Sequence, residues 1–160
     1  MKTLSPPLLV LLLAAASLAP MAPLAPIVPL AAQTPPADPA GLAEGLRLFD
    51  AGRYEEARRL FEARAGADPR DFDAQLHLGR ALLRLGRYEP SAERLEKAVA
   101  LRPGSSQAHD WLGRAYGGIA QQSNNPIKQA GLAKKIKAQF EKAVELDPAN
   151  FDARENLIQY

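Results

Sequence analysis

The strongest constraint on this chain is a period. Gly45 and Gly79, Gly52 and Gly86, Tyr54 and Tyr88, and Pro69 and Pro103 each stand 34 residues apart. Residues 54–69, YEEARRLFEARAGADP, lie over residues 88–103, YEPSAERLEKAVALRP, and 43–52 lie over 77–86. Within each unit a first helix is expected to run to a glycine turn at Gly52 or Gly86, and a second to run until proline stops it. Apolar residues at spacings of three and four fill the space between them: Leu48, Tyr54 and Phe61, then Leu78, Leu82, Tyr88 and Leu95. Gly45, Gly79, Gly113, Ala57 and Ala98 are small enough to let the helices approach. One such pair cannot bury its apolar face alone, so the units must stack. The expected fold is therefore all-α, a solenoid of antiparallel helix pairs. Its units cover 38–71, 72–105 and 106–150, with a partial fourth at 151–160.

This pattern resembles the tetratricopeptide repeat family. Gly45, Tyr54, Ala57, Phe61 and Pro69 carry the resemblance in the first unit, and Leu78, Gly79, Gly86, Tyr88, Ala98 and Pro103 in the second. LGRAY (112–116) and FEKAVELDP (140–148) carry it in the third. The resemblance implies a right-handed solenoid. Arg64 and Ser91 depart from it, standing where the family has Ala. Pro90 lies near the start of a second helix, where the first-turn N–H groups have no helical partner in any case.

The third unit is stretched. Tyr116 and Phe140 are 24 residues apart where the family spacing is 13, an excess of 11 around 117–130. Asn125–Pro126 reads as a helix start, with Asn as the N-cap and Pro in the first turn. Ile127, Ile136, Phe140, Ala143 and Val144 are read as an apolar stripe, so the insertion lengthens both helices and its turn projects. Lys128, Lys134, Lys135, Lys137 and Lys142 then make a solvated face, or a basic patch for an acidic partner or a lipid headgroup.

Composition changes sharply along the chain. Nine of the fourteen prolines lie in the first 39 residues, which hold few charges. Lys2 is followed at 8–19 by twelve uncharged residues, the length of a signal core and short of the ~20 that span a bilayer. Residues 1–32 are read as a signal peptide, with 30–32 as the cleavage region. Residues 33–39 are read as a Pro-rich linker, and 40–160 as the repeat domain. The expected product is a bacterial exported protein, periplasmic or secreted; anchoring in the inner membrane by residues 8–32 is the alternative. Prolines at 20, 23, 26 and 29 oppose a continuous spanning helix and match a polyproline II turn.

Chemistry is sparse. The absence of cysteine excludes disulfides, thiolate zinc sites and cysteine nucleophiles. A net charge of only +2, with both signs interspersed, argues against nucleic acid as a partner. No Glu or Asp recurs with His77 or His109 at a spacing that makes a two-His metal face. Gly117–Gly118 lacks the Lys and Ser/Thr of a phosphate loop, and no serine sits in a nucleophile turn. No catalytic residue, metal or cofactor is expected, and the chain reads as a non-enzyme.

What remains is a surface. The resemblance implies that the first helix of each unit lines a concave groove for an extended or helical peptide. Carried over by position, the groove residues are Leu42, Leu46, Phe49 and Asp50 in the first unit. Asp73, Leu76, Arg80, Leu83 and Arg84 follow in the second, with Asp110 and Arg114 in the third. The groove passes from an apolar end to an Arg-bearing one. Chaperone-tail-binding members of the family place Lys and Asn where Leu42 and Leu46 stand, which argues against that ligand here. The expected function is an envelope scaffold binding a protein or peptide partner. The alternative is the helical accessory region of a longer assembly factor or enzyme, because FDAREN (151–156) restarts FDAQLH (72–77).

Overall fold

The structure, a computed structural model, describes residues 39–159, with side chains from Gly41 onward, all within the unit Gln33–Tyr160. The signal peptide, its cleavage region, the alternative anchor and all but the end of the linker lie outside the described residues. These form seven helices: α1 Pro39–Asp50, α2 Tyr54–Ala67, α3 Phe72–Arg84, α4 Tyr88–Leu101, α5 Ser106–Gln122, α6 Pro126–Leu146 and α7 Phe151–Ile158. Among the described residues there is no strand, and no helix is long and apolar enough to cross a membrane. Each helix packs on the next, and the first helices α1, α3 and α5 also touch in series.

The turns explain where the helices stop. Gly52 and Gly86 have φ of 76° and 72°, left-handed values that cost a residue with a Cβ. Arg53 N–H donates to Leu48 O at 2.8 Å and Gly52 N–H to Phe49 O at 3.0 Å. Arg87 to Leu82 and Gly86 to Leu83 repeat this, so both hairpins close with the same two-bond cap. Between units, side chains take over. Asp71 accepts from Ala74 N–H, Ser105 from Ala108 and Asn150 from Ala153, each an N-cap at the end of its unit. Asn125 likewise accepts from Ile127 and Lys128 N–H, starting α6 with proline in its first turn.

Glycine sets the spacing within each pair. A Cβ at Gly45, Gly79 or Gly113 would fall 2.5, 2.5 or 2.6 Å from Phe61, Leu95 or Phe140 respectively. Each large side chain is 0–1% exposed, so the second helix lies on bare backbone of the first. Two core clusters result. One joins Leu48, Phe49, Phe61, Leu78 and Leu82; the other joins Leu76, Leu95, Trp111, Leu112, Ile136 and Phe140. Helix α3 feeds both, with Leu78 toward one and Leu76 toward the other.

The departures from the family pattern are satisfied. Ser91 Oγ donates to Gly79 O at 2.8 Å, so the hydroxyl is paired inside the core. Arg64 is paired with Asp71. Gln75 Nε2 donates to Pro69 O at 3.1 Å, and His109 Nε2, one period later, to Pro103 O at 3.0 Å. His109 therefore ties its helix to the preceding loop.

The insertion lengthens both helices of the third pair, to 17 and 21 residues against 13 and 14 in the second. The stripe on α6 is corrected at its start. Ile127 is 82% exposed at the tip, and Leu132, Ile136, Phe140 and Ala143 are the buried row, with Val144 beside it. Ile127 is nine residues from Ile136, which is not a same-face helical spacing; Leu132 is four from it. The exposed lysines are largely engaged: Lys128 with Glu89, Lys137 with Glu141, Lys142 with Glu145, and Lys135 over the Tyr116 ring.

Candidate partner-binding groove

The face formed by α1, α3 and α5 is organised around stacked arginines. Arg80 from α3 lies over two rings, 4.6 Å from the Phe49 centroid and 4.9 Å from that of Trp111. Arg114 lies 4.7 Å from Trp111, and Arg84 5.7 Å from Tyr54, whose ring meets Phe49 edge-on at 5.2 Å. One continuous stack thus runs across three units, through Tyr54, Phe49, Arg80, Trp111 and Arg114. Stacking suits the flat guanidinium and leaves its N–H edge free to bond.

Arg80 Nη1 donates to His77 Nδ1 at 2.9 Å. Arginine can only donate, so His77 accepts at that nitrogen and is neutral. Burial, with the charge of Arg80 second, pushes the His77 pKa down to about 4. Burial also lowers the Arg80 pKa, without removing its charge. Neither Arg80 nor Arg84 meets a carboxylate at ion-pair distance among the described residues. Arg114, by contrast, is held by Asp110 at 3.0 Å and Asp152 at 3.2 Å. Asp110 also accepts from Asn156 Nδ2 at 3.0 Å; burial raises its pKa against the opposing pull of these partners.

The residues assigned by position separate into two groups. Phe49, Arg80, Arg84 and Arg114 converge on the stack, Asp50 and Asp73 stand beside it on the same two helices, and Leu83 borders a 270 Å³ hollow with Tyr88 and Arg114. Leu42 and Leu46 are half-buried against the first core cluster. Leu76 and Asp110 are corrections, 2% and 3% exposed. Leu76 faces α5 inside the second cluster, and Asp110 is spent on Arg114 and Asn156, so neither offers surface to a ligand. Trp111 and His77 were missed. Trp111 stands three residues before Arg114, on the same helix face, and is the only tryptophan. Next to it a cavity of about 460 Å³ opens between α5 and α7, lined by Arg80, Gln107, Trp111, Asp147, Phe151 and Asp152 among others.

Residues 48–116 match the family model described as tetratricopeptide repeat. The chain is 31% identical over 114 residues to mitochondrial import receptor subunit TOM20-2 of Arabidopsis thaliana, covering 65% of this chain and 54% of that protein. It therefore spans about half the length of that relative. A thermophilic TPR protein of Thermus thermophilus superposes with a TM-score of 0.69 at 25% identity, over 74% of this chain and 61% of that one. The second TPR domain of human RPAP3, in complex with the HSP70 peptide SGPTIEEVD, superposes at 0.63 with 23% identity, over 74% and 90%. The fold of residues 39–159 is that of the tetratricopeptide repeat, and residues 48–116 carry the family's repeat itself.

Proposed function

We propose that this chain is a non-catalytic scaffold that holds a partner segment along the face of α1, α3 and α5. The observation that carries the reading is the Arg80 guanidinium, gripped by rings from the first helices of the two flanking units and free of any carboxylate among the described residues. A charge kept rigid and unneutralised on the surface of a fold is placed for a ligand of opposite charge. The tetratricopeptide fold is typically a non-catalytic interaction module, and the RPAP3 domain holding an HSP70 peptide supports a peptide as the occupant class.

The site of action we propose is the bacterial cell envelope, supported by the uncharged run at 8–19 behind Lys2. A second reading, a helical part of a larger assembly factor, is favoured by the 54% share of the matched import receptor subunit that this chain spans.

The test is quantitative capture of envelope proteins on the wild-type chain, Arg84→Glu, and the double variant with Arg80→Glu. Arg84 is exposed, so its single variant keeps the core. The expected outcome is loss of at least one partner with Arg84→Glu and a deeper loss with the double variant. Equal recovery of every partner on all three proteins would sink the reading.

A further inference from the structure

Phe72 opens α3 and Phe151 opens α7, each followed by Asp and Ala at the same place in its unit. Phe72 is 9% exposed, packed into the second core cluster, and the Arg102 guanidinium from the α4–α5 loop lies 3.8 Å from its ring centroid. Phe151 is 75% exposed, with no cation over its ring among the described residues. The same side chain, at the same register, is covered by an arginine in one unit and bare in the other.

The surroundings of Phe151 suit a cation. Its ring borders the 460 Å³ cavity, which Asp147, Asp152 and Arg80 also line, while Asp110 is held by Arg114 and Asn156. Asp147 and Asp152 stand exposed at the rim, while Arg80 is tucked between Phe49 and Trp111. Asp152 already pairs with Arg114. Asp147 has no cation partner among the described residues; its Oδ1 accepts only from Ala149 N–H, at 2.9 Å.

Arg102 reaches Phe72 from the loop behind a second helix, α4. A second helix lying on α7 in the same way would meet Ile158. That residue holds the register position of Gly45, Gly79 and Gly113, where even one Cβ would fall 2.5–2.6 Å from the packed side chain. Ile158 is 86% exposed and branched, so no helix could approach the α7 backbone as closely as α2, α4 and α6 approach α1, α3 and α5.

We propose that the cavity between α5 and α7 receives an arginine side chain from a basic segment of another protein, stacked on Phe151 and paired with Asp147. The proposal rests on the reading of this face as a partner-binding groove and names the chemistry of one subsite. A guanidinium fits both walls at once, its plane on the ring and its N–H fork on the carboxylate. The subsite extends the groove by one helix beyond the arginine stack, so a single extended segment could offer a carboxylate to Arg80 and an arginine to Phe151.

The experiment titrates the full chain with the blocked peptide Gly-Gly-Arg-Gly-Gly and with its Glu counterpart, following the emission of Trp111, which lines the cavity and is the only tryptophan. The arginine peptide is expected to give a saturable change and the glutamate peptide none. Phe151→Ala should raise the half-saturation concentration about fivefold, Phe151→Tyr should restore it, and both should keep the wild-type thermal midpoint. Equal responses to the two peptides, or an unchanged half-saturation in Phe151→Ala, would overturn the proposal. So would self-association of the wild type that Phe151→Ala abolishes, since a second copy would then own the ring. A failed titration leaves the partner-capture result standing, and failed capture with Arg84→Glu leaves the titration standing, so the two ideas fall separately.

Discussion

His77 shows what a single residue can hide. Its place in the middle of α3 is visible in the sequence, but its state follows from burial and from Arg80, which three-residue spacing alone does not reveal. With a folded pKa of about 4 against an ordinary 6.5, the unfolded chain binds the proton first as pH falls. Stability contributed by the neutral ring is complete above the ordinary value and is lost as pH drops from about 6.5 toward 4. Between pH 7 and pH 4.5 the loss is about 2–3 kcal/mol. Urea unfolding at both pH values should therefore show a larger drop for the wild type than for His77→Gln, by about that amount. Equal drops would mean that His77 is not buried in its neutral form. The glycines that recur with the period, by contrast, were legible. Gly45, Gly79 and Gly113 recur because Phe61, Leu95 and Phe140 lie on their backbones. Gly118 was not legible, since its reason is Tyr88 in the preceding pair, a contact that no spacing within the unit encodes.

At the scale of the element, length was easier to read than face. The lengthened hairpin and the Asn125–Pro126 start both follow from local rules, capping and the missing proline N–H. The stripe on α6 went astray at Ile127 because an apolar residue at a helix start was taken as a member of a row it cannot reach. The residues that bury are spaced four, four and three, from Leu132 to Ala143. This separates two substitutions of similar chemistry. Leu132→Ala should cost about 2–4 kcal/mol, because it opens a cavity under the extended hairpin. Ile127→Ala should stay within about 0.5 kcal/mol of the wild type. Chemical denaturation of the pair checks this, and a reversed order would mean that α6 is rotated from the packing described.

For the whole molecule, the repeat carried most of the fold. Helix pairs, glycine turns and the order of units all follow from one period, because each unit must bury its face on the next. The surface carried less. Position within the repeat named Arg80, Arg84 and Arg114, which share one ring-stacked face, yet it also named Leu76 and Asp110, which packing and pairing withdraw from solvent. Position says which helix a residue belongs to, and only the neighbouring unit decides what is left uncovered. The proposed role for that face is tested most directly by photo-crosslinking in cells, with a benzophenone amino acid at Gln107, exposed in the cavity, or at Lys97, exposed on the second helix α4. A scaffold that holds its partner along α1, α3 and α5 gives a discrete adduct from Gln107 and none from Lys97. Adducts from Lys97 alone, or the same adducts from both, would contradict it.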